Sequence, residues 1–157
     1  MTSKSAANSE AANAALTASR ALLGVVARSV ASALDEVSLP QFRVLVLLRS
    51  RGPLRTGSLA ERLGVNASTF SRSLDKIVSG GWVERQANPG SRREIIIDLT
   101  DKGRLLVDGV TEARRRDLHA ILALLSADQQ DAVMRAFALF NAAAGEPSAE
   151  ELLTLGI

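Results

Sequence analysis

Gly64, set between two short amphipathic runs, constrains this chain more than any other residue. Leu59-Ala60-Glu61-Arg62-Leu63 leads into it and Val65-Asn66 follows, so a helix stops at a left-handed glycine and another restarts behind an asparagine cap. The restarted run reaches to about Ser79, where Gly80-Gly81 breaks it, and sets Phe70, Leu74, Ile77 and Val78 on one stripe. Ser68, Ser71, Arg72, Asp75 and Lys76 fall away from that stripe, giving an apolar back and a hydrogen-bonding front. Two strands follow, Trp82 to about Gln86 and Glu94 to Leu99, with Asn88-Pro89-Gly90 as turn chemistry and Arg92-Arg93 at the tip. A polar-fronted helix beside a basic hairpin predicts a winged helix-turn-helix, a surface built for duplex DNA.

The flanks read as helices. Residues 1 to 8 are rich in Ser, Asn and Ala and are expected to be disordered. From about Glu10 to Glu36 an Ala-rich helix carries Leu16, Leu23, Val26, Val30 and Leu34 along one stripe. Ser38-Leu39-Pro40 opens a second helix, apolar nearly all round from Phe42 to Leu48 and therefore expected in the core, which ends near Arg51-Gly52-Pro53. Thr56 and Ser58 are alternative caps for the third helix, the latter matching a capping box with Glu61. Thr100 caps a fifth helix running to about Leu125, and Ser126-Ala127-Asp128-Gln129 is a capping box for a sixth, to about Ala144. Gly145 and Pro147 end it, and Ser148 begins a short last helix with Leu152, Leu153 and Leu155. The expected fold class is mainly α: a winged helix-turn-helix domain over 39–100, with 9–38 and 101–157 as long helical arms for dimerisation.

Composition narrows the class. Apolar residues make up 46% and aromatics only 3%, so Ala, Leu and Val carry the core, which favours closely packed helices. No run approaches the roughly 18 continuous apolar residues of a membrane span, and the first ten residues hold no apolar block, so neither a membrane partner nor a signal peptide is expected. The absence of cysteine excludes disulfides, thiolate zinc sites and thiol redox sensing, and the expected location is the cytoplasm. The net charge is only +2, but residues 39–100 hold ten Lys/Arg against five Asp/Glu. The positive charge thus collects in the segment that would meet phosphate.

Within that segment, Ser68, Thr69 and Ser71 offer hydroxyls to base edges and phosphates, and Arg72 suits bidentate pairing with a guanine or a phosphate. Lys76 extends the same front. Arg92 and Arg93 suit a narrow minor groove. Arg55 and Thr56, at the start of the third helix, suit a backbone phosphate. Asp75 and Arg85 read instead as a structural ion pair. Arg114-Arg115-Arg116 lies in an amphipathic helix beside Glu112 and Asp117, which favours a solvated face or inter-subunit ion pairs over nucleic acid. His119 is the lone histidine and has no companions at ligand or triad spacing, so no metal, cofactor or catalytic activity is expected. The apolar stripes of the arms exceed what a winged helix of this size can bury, and a second copy of the chain would cover them.

The order of these elements resembles the MarR family of bacterial transcriptional regulators. The resemblance is carried by Leu59 to Val65, Ser68 to Lys76, Gly81-Trp82-Val83-Glu84-Arg85, and Arg92-Arg93 ahead of Leu99-Thr100-Asp101-Lys102-Gly103. It spans about residues 10 to 145, and the closing Leu-Thr-x-x-Gly is its most particular part. It implies a homodimer whose first, fifth and sixth helices interleave, presenting two winged helices to a pseudo-palindromic operator. It further implies a repressor released by a small anionic or aromatic effector bound where the arms meet the winged helix, with Phe42, Arg43 and His119 as candidate lining residues. Arg93 matches the family's wing arginine. Ser91 stands where the family often has an acidic residue, a departure that bears on how Arg93 is oriented. The competing expectation is a protein-interaction module that turns the polar front of the same fold to another protein.

Overall fold

The computed structural model describes the backbone of residues 2–88 and 91–145, and their side chains apart from those of residues 2–7, 67, 88 and 91–93. The order is α1 (Thr2–Leu34), α2 (Leu39–Arg51), β1 (Leu54–Arg55), α3 (Thr56–Leu63), α4 (Ala67–Ser79), β2 (Val83–Asn88), β3 (Ser91–Leu99), α5 (Asp101–Leu122) and α6 (Ala127–Ala144). The last helix expected from Ser148 lies outside the described residues, as do Pro89 and Gly90 at the tip of the wing.

Local chemistry sets most of the boundaries. Asn66 Oδ1 accepts from the Ser68 N–H at 3.0 Å and caps α4, while the Thr100 hydroxyl accepts from the Gly103 N–H at 3.2 Å and caps α5. Ser126 and Gln129 cap α6 reciprocally, at 2.9 and 3.4 Å. At the end of α3, Gly64 takes the left-handed conformation with φ of 65°, the one place in this turn where an L side chain would be strained.

Strand β3 starts three residues earlier than expected and α5 ends three residues sooner, and two helix starts differ as well. Helix α1 begins at Thr2, so the stretch expected to be disordered is its first turns. Nothing before Gly24 breaks the run, and its alanines favour propagation. Neither Thr56 nor Ser58 caps α3; Arg55 holds that position without a side-chain bond. The cause is a third strand. Leu54 and Arg55 pair with Ile97 and Ile96, so the chain passes straight from β1 into the helix at Thr56. The sheet is antiparallel in the order β1-β3-β2, with Val83 opposite Leu99 and Arg85 opposite Ile97.

The core lies where α2, α3 and α4 meet the sheet and α5. Leu45, Leu48, Leu59, Leu74, Ile77 and Ile97 are fully buried there, with Phe42, Phe70, Trp82 and Val107 around them. Each such side chain contributes about 1.5–3 kcal/mol of transfer free energy. Helix α2 is apolar but not enclosed all round, since Leu39 and Val46 face outward.

Within the single chain the arms bury little of their apolar stripes. Val25, Ser29 and Ala33 are the buried positions of α1, which lies along α5. Of the expected stripe, Leu16 is 55% exposed and Leu23 67%, with Val26 and Leu34 also outward and only Val30 against the core. Small residues let α1 approach α5 closely, and this leaves the larger side chains on the far side. By length and composition, Asn8–Leu34 is also apolar enough to cross a membrane. It carries Arg20 and Arg28, however, and Arg28 Nε pairs with Asp117 of α5 at 3.0 Å.

Candidate nucleic-acid interface

Helix α4 divides as its sequence predicts. Phe70, Leu74 and Ile77 are buried, while Ser68, Thr69, Ser71, Arg72 and Lys76 are exposed. One cap fixes the leading edge of the front: Asn66 Oδ1 accepts from both the N–H and the hydroxyl of Ser68, at 3.0 and 2.7 Å. The side chains of Arg72 and Lys76 make no ion pair among the described residues, which leaves both cations to solvent. Asp75, on the same helix, is neutralised by Arg85 of β2 at 2.5 Å, so the expected structural pair is present. It ties α4 to the wing and removes a carboxylate that would repel phosphate.

The wing supplies the second part of the surface. Arg92 and Arg93 stand in the first residues of β3, beside the turn, and their side chains lie outside the described residues. Arg55 Nη1 pairs with Glu94 Oε1 of β3 at 3.0 Å, both groups remaining partly exposed. An exposed pair of this kind is worth only about 0.2–1 kcal/mol, so a phosphate can compete for the guanidinium. Thr56 is half-buried and lines an open cleft with Arg55, Glu61 and Glu94 at the start of α3. The two carboxylates make that cleft electrostatically mixed.

The residues expected to line an effector site differ in exposure. Phe42 is in the core. Arg43 is exposed and lines a small cleft with Pro40, Leu63, Val65 and Thr69, of about 140 Å³. Ligand pockets for drug-sized molecules run to roughly 300–1,000 Å³. His119 is exposed in the last turn of α5 and takes no part in the Arg43 cleft.

Two arginines of the α5 run are engaged within their own chain. Arg115 pairs with Glu112, and Arg114 Nε donates to the Ser29 hydroxyl of α1 at 3.3 Å. Contacts between distant segments escaped the sequence, two of them at the joint between the winged helix and α5. Arg49 of α2 pairs with Asp108 of α5 at 2.9 Å, joining the winged helix to the arm. Lys102 of α5 donates to the Gly80 carbonyl at 3.0 Å. Both join residues far apart in the chain, and neither partner carries a local signal; only the motif around Thr100 marked Lys102 at all.

Comparison with known proteins agrees with this geometry. The MarR family model matches residues 37–95. The uncharacterised HTH-type transcriptional regulator YfiV of Bacillus subtilis is 30% identical over 108 residues, which is 69% of this chain and 68% of that protein. The multiple antibiotic resistance protein MarR of Escherichia coli is 32% identical over 95 residues, 60% of this chain and 66% of that one. The crystal structure of Rv1404 from Mycobacterium tuberculosis superposes with a TM-score of 0.79 at 38% identity, covering 86% of this chain and 92% of the other. With the same helix-turn-helix, wing and flanking helices, the chain belongs to the MarR family of DNA-binding transcriptional regulators.

Proposed function

We propose that the protein works in the cytoplasm as a homodimer that reads a pseudo-palindromic operator and represses transcription until a small anionic or aromatic effector releases it. The observation that carries the DNA-reading part is the front of α4, where hydroxyls and two cations without an ion pair among the described residues share the exposed face of a helix locked to the core by Phe70, Leu74 and Ile77. In this reading Ser68, Thr69, Ser71 and Arg72 meet base edges, and Lys76 meets phosphate. Arg92 and Arg93 enter the minor groove, and Arg55 and Thr56 hold a backbone phosphate.

Support for the dimer comes from α6. This 18-residue helix has no buried residue in the single chain. Met134, Phe137, Leu139 and Phe140 are all exposed, as are Leu16 and Leu23 of α1. An isolated helix of this length is marginal in water, and an apolar surface of this kind is normally covered. Covering it with a second copy makes 39–100 the reading domain and the helices on either side the dimer arms. Two copies would set their α4 helices about one DNA turn apart, roughly 34–36 Å. For the effector, Arg43 and His119 are the exposed candidates, and Phe42 serves the core.

The test is selection of genomic DNA fragments by the full-length protein, followed by footprinting of those retained. The expected footprint has two half-sites related by a dyad and centred about 10 base pairs apart. Retention without any shared sequence would remove operator reading and favour a winged helix turned to a protein partner.

A further inference from the structure

Lys102 occupies the second position of α5, where a cation opposes the positive end of its own helix dipole. Its ammonium is engaged elsewhere. Nζ donates to the Gly80 carbonyl at 3.0 Å and stands 3.7 Å from the centroid of the Trp82 ring. Gly80 is the C-terminal cap of α4, so Lys102 sits at the negative end of the helix that fronts the DNA surface.

The surroundings leave this joint little room to adjust. A Cβ on Gly80 would come within 2.7 Å of Trp82 Cδ1, and one on Gly103 within 2.2 Å of the Trp82 carbonyl oxygen. The Thr100 hydroxyl donates to the Gly81 carbonyl at 2.6 Å, and the Thr100 N–H donates to the Trp82 carbonyl at 3.2 Å. The end of α4, Trp82 and the first turn of α5 therefore form one block. Its charged link is Lys102, and α5 continues from it into the arm that packs on α1.

We propose that Lys102 is a positioning residue for DNA reading. It fixes the angle of α4 against α5, and so the placement of one reading helix relative to the other across the dimer, without touching DNA. The inference rests on the operator-reading dimer described above. A rotation of α4 about its far end moves the base-facing groups out of register with both half-sites at once, whereas non-specific phosphate attraction tolerates it.

The experiment compares full-length wild type, Lys102→Met and Lys102→Arg by fluorescence anisotropy on a selected operator and a scrambled duplex, across a salt series. Methionine keeps the stem without the charge or the donors; Lys102→Gln serves the same comparison should that variant not fold. Lys102→Met is expected to bind operator about tenfold more weakly, while scrambled DNA and the salt slope stay unchanged. Trp82 is the single tryptophan, so its emission reports the same contact. It should change in Lys102→Met, and Lys102→Arg should restore both the emission and the operator preference. Parallel losses on both duplexes, with the salt slope reduced by about one, would make Lys102 a phosphate contact and overturn the proposal. Lower thermal stability with unchanged operator affinity would also overturn it, leaving only a packing role. Wild type without preference for any duplex would instead defeat the operator reading on which the proposal stands.

Discussion

Leu74 and Arg72 lie two residues apart on α4 and face opposite ways, one sealed in the core and one open to solvent. Replacing Leu74 with alanine opens a cavity beneath the reading face and should cost about 2–5 kcal/mol in chemical denaturation. A cost well under 1 kcal/mol would mean that the core collapses around the site. Asn66→Ala removes the acceptor shared by the Ser68 N–H and hydroxyl. About 0.5–2 kcal/mol of stability should go with it. Such residues were legible in the sequence because caps and stripes are local: Asn66, Thr100 and Ser126 each satisfy donors within three positions. Arg49 was not legible, since its partner Asp108 lies on another helix and nothing near either residue announces the pairing.

At the scale of elements, the same contrast separates α4 from α1 and β1. Periodicity located the buried face of α4 correctly because the core surrounds that face. The stripe it located on α1 is not the face that α5 covers: Leu16 and Leu23 point outward, whereas Val25, Ser29 and Ala33 are buried where α1 lies along α5. An apolar stripe shows that something covers a helix face but does not identify the cover. Strand β1 escaped because two residues carry no periodicity; the partner strand β3 defines it. At the wing, Arg93→Ala should weaken binding to every duplex and lower the salt slope by about one, measured by anisotropy across a salt series. An unchanged slope would remove Arg93 from the interface.

For the whole molecule, the arms decide whether two winged helices act together. Phe137 and Phe140 are exposed on α6 and line an apolar groove with Ala15, Ala18 and Leu22 of α1. In the proposed dimer, Phe140→Asp places a charge in that apolar surface and should shift sedimentation from dimer to monomer. Operator affinity should fall with it, because each half-site is then bound alone. A Phe140→Asp protein that sediments as wild type does would place the interface elsewhere. The positive charge gathered in residues 39–100, against the acidic balance of residues 101–157, is consistent with one end of the molecule facing DNA.

The central claim is that the front of α4 reads base sequence rather than merely attracting phosphate. Arg72→Ala tests it most directly, by anisotropy on a selected operator and on a scrambled duplex at one fixed salt concentration. A loss of about 1–3 kcal/mol is expected on the operator, with little change on the scrambled duplex. Equal losses on both would contradict it and reassign Arg72 to the DNA backbone.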